Sequence, residues 1–305
     1  MGDLRRRKKR SKRWIWWIIL VILILALVSE TSWYIYTKKR DQQIKRKPVE
    51  AECLGDTTGQ RMSALYEGKE GSQTLYQIAE QSAEAAKQEE AKKQNEAKLI
   101  AIDAGHQIQQ NSEKEPLGPG SSEMKAKVSS GTAGIQTGTP EYQVNLDVAL
   151  KLQKVLEERG YSVLMIRTTN EVDISNAERA EMANNNNAAA LVRLHCDGSD
   201  NTASSGAMTI CMTASSPYCP EIYEQSKVLS TDVLNYMCAK TGASANRVWE
   251  TDTMTGINWS KVPVTIVEMG YLTNPSEEQK LISDEYQTLL AEGIADGIEA
   301  FLKGE

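Results

Sequence analysis

The sequence has five cysteines among 305 residues, and they form no metal-binding pattern. No two of them have CxxC spacing, which excludes a zinc ribbon and a thioredoxin-like redox motif. An odd number in an exported chain leaves at least one thiol unpaired within the monomer, and a pairing of Cys211 with Cys219 stays open. We interpret all five as structural or free residues, not as metal ligands: Cys53, Cys196, Cys211, Cys219 and Cys238.

Basic residues are scarce outside the N-terminal part of the chain. Residues 1–47 contain 14 Lys and Arg against 3 Asp and Glu, whereas residues 48–305 contain 21 against 38. The net charge of −6 therefore divides into +11 and −17. An acidic bulk disfavours contact with a phosphate backbone, so we expect no nucleic-acid partner.

One long apolar run lies near the N-terminus, over residues 14–36. A helix of about 23 residues is about 35 Å long, enough to cross a hydrocarbon core of roughly 30 Å. Trp and Tyr at both ends are typical of membrane interfaces, and eight Lys and Arg within Arg5–Arg13 predict a cytoplasmic N-terminus. We predict a single-pass anchor in the cell membrane, with a basic cytoplasmic tail over residues 1–13 and the remainder extracytoplasmic. A cleaved signal peptide is the alternative, although the run is long for one and no A-x-A site follows.

Residues 37–98 have the composition of a spacer. Residues 37–71 mix charged residues with Gly and Thr, and residues 72–98 are rich in the helix formers Ala, Glu, Gln and Lys. Apolar positions are too sparse for three sustained heptads, which disfavours a coiled coil. We predict an extracytoplasmic stalk with a helical spacer.

Strands and helices alternate from residue 99 onwards. Leu99–Asp103 has the length and composition of a buried strand, and Glu141–Arg159 has an amphipathic helical pattern. The alternation predicts a single α/β domain over residues 99–305, with a mostly parallel twisted sheet flanked by helices. Residues 108–140, rich in Gly, Ser and Thr, predict a long loop. Further strands are predicted at 161–167, 189–195, 206–212 and 263–268, and further helices at 175–184, 219–241, 276–283 and 285–302.

The chain has only two histidines, and each follows an apolar strand. His106 comes after LIAIDAG, and His195 comes after AAALVRL. The carboxyl ends of parallel strands meet at one edge of a sheet, where α/β folds keep their sites, so we expect the two imidazoles to approach each other. A single histidine is more often structural than functional, but this matched placement favours a shared site.

Two glutamates complete the candidate site. Glu141 opens a helix, where an acid is usually just a favourable dipole partner. Glu268 ends an apolar strand, where burial of an acid requires a cation or a hydrogen-bond network. Two His and one Glu, with a fourth coordination position left for water or substrate, form the ligand set of a catalytic zinc site. The sequence thus predicts one Zn²⁺ held by His106, Glu141 and His195. Glu268 is then the catalytic acid and base.

Four ordered motifs run through this domain: IAIDAGH (100–106), PEYQVNLDVALKLQKVLEERGYSVLMIR (140–167), NAERAEMANNNNAAALVRLHCDG (176–198) and VPVTIVEMGYLTN (262–274). With this order and spacing, residues 99–303 resemble the zinc-dependent N-acetylmuramoyl-L-alanine amidases of the Amidase_3 type. The resemblance implies the same three zinc ligands and the same role for Glu268. It also implies peptidoglycan as the substrate, cut at the amide between the muramic-acid lactyl group and L-alanine.

The chain departs from the family pattern at three places. The usual DPGHGG reads DAGHQI at 103–108, TRxxD reads IRTTN at 166–170, and SxHxN reads RLHCD at 193–197. None of these changes removes a ligand or the base. They leave substrate preference open.

Three further residues are weaker candidates for substrate contacts. Arg167 and Arg179 fall on arginine positions of the family, where the alternative is a structural ion pair. Asn258 lies just before the last strand and is a candidate for lining a groove. The loop over residues 108–140 is interpreted as a lid that gates the site.

These features predict a membrane-anchored peptidoglycan hydrolase. One alternative is a catalytically silent amidase-like domain that binds peptidoglycan or recruits a partner, which an intact set of ligands and base disfavours. Another is a zinc peptidase that cuts within the stem peptide. The products separate the two enzymes, because only the amidase frees the amino terminus of L-alanine.

Overall fold

A computed structural model describes residues 98–304. The predicted cytoplasmic tail, membrane anchor and nearly all of the predicted stalk lie outside the described residues. Within residues 98–304, no helix combines the length and apolar character needed to cross a bilayer.

A six-stranded sheet forms the centre of the domain, in the order β4-β1-β5-β8-β6-β7. Strands β1, β4, β5 and β8 are mutually parallel, whereas β6 runs antiparallel to β8 and β7 runs parallel to β6. A separate antiparallel pair joins β2 to β3. The strands are β1 Leu99–Ala104, β2 Asn111–Pro116, β3 Met124–Val128, β4 Ser162–Met165, β5 Ala190–Asp197, β6 Ala207–Cys211, β7 Ala245–Glu250 and β8 Val264–Tyr271.

Helices cover both faces of the sheet, as the α/β pattern predicted. One face packs against α1, α3 and α6 through a large apolar cluster, and the other packs against α2 and α4 through a smaller one. A short 3₁₀ turn, Pro220–Ile222, precedes α3. The helices are α1 Glu141–Glu158, α2 Asn176–Asn185, α3 Tyr223–Thr241, α4 Thr255–Asn258, α5 Pro275–Leu281 and α6 Asp284–Lys303.

Helix α6 approaches α3 closely because two glycines of α6 face it. A Cβ on Gly297 would lie 2.5 Å from the Cα of Val233, and one on Gly293 would lie 2.8 Å from the Cα of Met237. Both partner atoms are backbone atoms and cannot move aside independently. The contact therefore requires residues without side chains, and it brings the apolar stripe of α6 into the core.

The region predicted as a long loop over residues 108–140 contains the β2–β3 hairpin instead. Strand β2 has the sequence NSEKEP, so only one of its six residues, Glu115, is buried, and no apolar alternation marks it. Strand β7 and the single turn α4 also lacked a sequence signal, because both are short and mixed in polarity. The other predicted elements are present, with ends that differ by a few residues.

Candidate metal and catalytic site

His106 occupies a loop that is held in an unusual conformation. Strand β1 ends at Ala104, and His106 has a φ of 61°, in the left-handed region that favours glycine. Its carbonyl accepts a hydrogen bond from Arg179 Nη2 at 3.1 Å. Its Nδ1 lies 2.9 Å from the carbonyl oxygen of Ser129. Because a carbonyl only accepts, Nδ1 carries the proton and Nε2 keeps a free lone pair.

Two buried arginines hold this loop, and neither is placed to contact a substrate. Arg167 is 2% exposed and donates to the carbonyls of Ala104 at 2.7 Å and Gly105 at 3.0 Å. Arg179 is 0% exposed and bonds Asp103 Oδ1 at 2.6 Å in addition to His106. The carbonyls at the end of β1 lack strand partners, and the guanidinium groups satisfy them. Both arginines therefore position the loop, which agrees with the structural alternative given for them and not with the weaker prediction of substrate contacts.

Glu141 is fixed at the first turn of α1 by donors on both carboxylate oxygens. The backbone N–H of Thr132 donates to Oε2 at 2.9 Å. The backbone N–H of Cys196 and the side chain of Asn145 donate to Oε1 at 3.1 and 3.2 Å. These bonds fix the carboxylate with Oε1 facing the two histidines.

Three ligand atoms converge at the edge of the sheet. His195 Nδ1 lies 3.1 Å from His106 Nε2 and 3.1 Å from Glu141 Oε1, and His106 Nε2 lies 3.2 Å from the same oxygen. Within residues 98–304, this is the one group of three or more candidate ligand side chains close enough to share an ion. The predicted residues are thus together in space, although they are up to 89 positions apart in sequence.

The geometry and chemistry of this triangle fit zinc. A tetrahedral ion with bonds of about 2.0–2.1 Å has ligand atoms about 3.3 Å apart. Burial lowers the pKa of His195 to about 4, so its imidazole is neutral at pH 7, as a metal ligand must be. Burial alone raises the pKa of Glu141, but hydrogen bonds and charge from His106 and His195 outweigh it, so the pKa lies below its usual value. The bond from His106 to Ser129 is the kind of outer contact that orients a metal-bound imidazole.

Glu268 lies beside this triangle on β8. It is in register with His195 on the neighbouring strand β5, and its Oε2 is buried without a hydrogen-bond partner among the described residues. Burial, together with the charges of Glu141 and Asp197, raises the pKa of Glu268 well above its usual value. An unpartnered carboxyl group with a raised pKa is a candidate for the general acid and base of a hydrolytic reaction.

A catalytic cleft of about 520 Å³ opens over the site. Glu268 and the three candidate ligands share this cleft, so a substrate bond placed there has access to all four side chains. The further lining residues are Gly131, Thr132, Cys196, Asp197, Gly198, Ser199, Asp200 and Thr273.

Asn258 is outside the cleft, which corrects its prediction as a groove residue. It is 1% exposed, and its Nδ2 donates to the carbonyls of Leu117 at 3.1 Å and Asp252 at 2.8 Å. The following residue, Trp259, donates from Nε1 to the carbonyl of Pro116 at 3.0 Å. Both side chains fasten the β2–β3 hairpin to the domain.

Several residues that position the site were not predicted. Asn145 carried a usable signal, since it lies four residues after Glu141 on the same face of a helix. Asp103 carried a weaker one, as a charged residue within a buried strand. Thr132 acts through its backbone N–H, and Ser129 acts through its carbonyl oxygen as well as its Oγ; the backbone contacts leave no trace in the sequence.

Comparison with known proteins places these motifs in one family. The family model described as N-acetylmuramoyl-L-alanine amidase matches residues 100–300. The protein YqiI of Bacillus subtilis (strain 168) is 28% identical over 208 residues, covering 68% of this chain and 85% of YqiI. The N-acetylmuramoyl-L-alanine amidase LytC of the same organism is 26% identical over 174 residues, covering 56% of this chain but 33% of LytC.

Solved structures agree with the fold. The crystal structure of an N-acetylmuramoyl-L-alanine amidase from Clostridium difficile 630 is 28% identical, with a TM-score of 0.57, and covers 69% of this chain and 99% of that one. The alignment therefore spans nearly the whole of that chain.

Proposed function

Because the chain belongs to the N-acetylmuramoyl-L-alanine amidase family, we propose that it hydrolyses the amide between the muramic-acid lactyl group and L-alanine in peptidoglycan. The single observation that carries the proposal is the convergence of His106 Nε2, Glu141 Oε1 and His195 Nδ1, with 3.1–3.2 Å between them. The catalytic cleft also holds the unpartnered carboxyl group of Glu268.

His106, Glu141 and His195 would hold one zinc ion as three protein ligands. Such an ion supplies Lewis-acid polarisation of the scissile carbonyl and a water of lowered pKa. The neutral state of His195 and the ionised state of Glu141 match this role. Ser129, Thr132 and Asn145 keep the ligands oriented through the bonds described above.

Glu268 handles the proton in this reaction. Its carboxylate takes a proton from the attacking water and then gives it to the nitrogen of L-alanine, which leaves as an amine. A raised pKa makes the Glu268 carboxylate a stronger base toward the attacking water, and the protonated group then serves as the acid toward the leaving nitrogen. A catalytically silent binding domain has no use for this carboxyl group, which favours the enzyme.

The anchor is a separate part of the proposal and rests on sequence alone. Residues 14–36 would hold the chain in the cell membrane, with residues 37–98 as a stalk and the catalytic domain outside. Protease treatment of intact cells tests this arrangement. The proposal expects digestion of the catalytic domain together with retention of its N-terminal part in the membrane fraction.

The activity is tested with the full chain, a Glu268→Gln variant and a Glu285→Gln control on the exposed start of α6. Each protein is incubated with purified peptidoglycan, and new amino termini are identified by residue. The proposal expects L-alanine termini from the wild type and the control, and a loss of at least about 100-fold in Glu268→Gln. New termini at another stem residue would indicate a peptidase and contradict the proposal.

A further inference from the structure

A second pocket of about 320 Å³ adjoins the catalytic cleft and shares part of its lining. His106, His195 and Glu268 line both spaces, so a substrate bond at the site is flanked by the cleft and the pocket. The outer wall of the pocket is formed by strand β3 and by residues 253–256.

Arg193 supplies a buried positive charge to this second pocket. Its side chain is 3% exposed, with Nε donating to Asp103 Oδ2 and Nη2 donating to Asn176 Oδ1, both at 2.8 Å. Its Nη1 has no hydrogen-bond partner among the described residues. A Cβ on Gly256 would lie 1.3 Å from Nη1, so this nitrogen reaches the pocket wall only because residue 256 is glycine.

The charge of Arg193 is only partly compensated. Asp103 is fully buried and also bonds Arg179, so one carboxylate faces two guanidinium groups. A buried positive charge that lacks its own counter-ion favours the binding of an anion. Arg193 also stands where the family pattern has serine, so this feature distinguishes the chain from that pattern.

Lys125 adds a second positive charge from the hairpin. Its Nζ donates to the backbone carbonyl of Thr253 at 2.7 Å. Within residues 98–304, no carboxylate forms an ion pair with it, whereas Lys127 on the same strand pairs with Glu113 at 2.8 Å. Lys125 and Arg193 therefore face the pocket as two cations, and Glu268 is the one acid in its lining.

The catalytic cleft has no cationic Lys or Arg side chain to offer a carboxylate. Its lining contains four acidic residues and neither Lys nor Arg. Of the two spaces, the second pocket is the one that offers a carboxylate the charged side chains of Lys and Arg. The acidic residues are Glu141, Asp197, Asp200 and Glu268.

We propose that the second pocket binds a carboxylate of the stem peptide, through Arg193 and Lys125, and that the sugar of the substrate lies in the catalytic cleft. This inference rests on the proposed amidase function. It fixes the direction of the substrate across the site, and it makes the charge of the residue after L-alanine a determinant of specificity.

Binding of two peptides to the full chain tests the pocket without requiring turnover. The probes are L-alanyl-D-glutamic acid and its diamide, and calorimetry gives their dissociation constants. We expect the diacid to bind at least about 10-fold more tightly, because hydrogen bonds from Lys or Arg to a carboxylate are stronger than those to a neutral amide. Lys125→Gln should reduce that preference below about 3-fold, while Lys127→Gln leaves it unchanged. Arg193→Gln, checked for folding by circular dichroism, should reduce it as well.

Equal affinities for the two peptides, or a preference that Lys125→Gln leaves intact, would overturn the inference. Cleavage of the N-acetylmuramoyl forms of the same peptides separates it from the proposed function. If both substrates are cleaved but the two peptides bind equally well, the pocket proposal fails and the amidase proposal stands. If the wild type binds the diacid preferentially but cleaves neither substrate, the pocket stands as a site for anionic peptides and the amidase proposal fails.

Discussion

Replacement of Asp103 by Asn should destabilise the domain severely. Asp103 is 0% exposed and bonds Arg179 at 2.6 Å and Arg193 at 2.8 Å, both of which are also buried. Removing one partner of a buried ion pair costs about 3–5 kcal/mol, because the remaining charge is left uncompensated. For a domain of about 200 residues, each kcal/mol corresponds to about 2–4 °C. We therefore expect the melting temperature to fall by roughly 6–20 °C.

The pH dependence of this loss follows from the direction of the pKa shift. Burial alone raises the pKa of Asp103, but the charges and hydrogen bonds of Arg179 and Arg193 outweigh it and hold the pKa well below its usual value. A lowered pKa in the folded state gives stability that is fully present above the unfolded-state pKa of about 3.9 and is lost as pH falls further. The difference between wild type and variant should thus be constant from about pH 8 to 5 and shrink below about pH 4.

Urea unfolding of the metal-free full chain, followed by circular dichroism, measures the difference at each pH. Glu113→Gln is the control, since Glu113 is 74% exposed and pairs with Lys127 on the surface. Its loss should be at most about 1 kcal/mol. A cost for Asp103→Asn below about 1 kcal/mol, or one that is unchanged at pH 3, would refute the reasoning.

Three further predictions concern the site and the core. Glu268→Gln should stabilise the metal-free protein at pH 7, because a raised carboxyl pKa disfavours the folded state once pH exceeds the unfolded value, and the gain should vanish below about pH 4 in the same urea assay. Gly297→Ala should cost about 1–3 kcal/mol by thermal unfolding, since the new Cβ meets the backbone of Val233 at 2.5 Å. Asn145→Ala should weaken zinc binding about 10–100-fold in a chelator competition, because Glu141 loses a donor.

Each of these three predictions has a contradicting result. A Glu268→Gln variant that is equally stable at pH 7 would show that this carboxyl group is solvated. A neutral Gly297→Ala would show that α3 and α6 separate easily. Unchanged zinc affinity in Asn145→Ala would show that Glu141 is held by backbone donors alone.

The sequence predicted those parts of the site that depend on local pattern. His106 and His195 each follow an apolar strand, and the parallel order of β1, β5 and β8 places strand ends together. Glu268 was recognisable because burial of an acid at the end of an apolar strand requires a cation or a hydrogen-bond network. These inferences require only the predicted strands and helices, and the rule that α/β folds place their sites at the carboxyl ends of parallel strands.

The roles of Arg167, Arg179 and Asn258 were not predictable in the same way. Each of them bonds at least one backbone carbonyl that lies 62 to 141 positions away, and a carbonyl has no side-chain signature. The β2–β3 hairpin also escaped prediction, since its strands are held by Asn258 and Trp259 and not by an apolar face of their own. Polar contacts between residues far apart in the chain therefore could not be predicted from the sequence pattern.

The metal content of the full chain tests the central claim most directly. Wild type and Glu141→Gln are dialysed against limiting zinc and measured by mass spectrometry of the metal. The site predicts about one zinc per wild-type chain and less than about a tenth of that in the variant, because three ligand atoms are needed to hold the ion. Equal zinc in both proteins, or none in the wild type, would contradict the assignment of His106, Glu141 and His195 as a metal site.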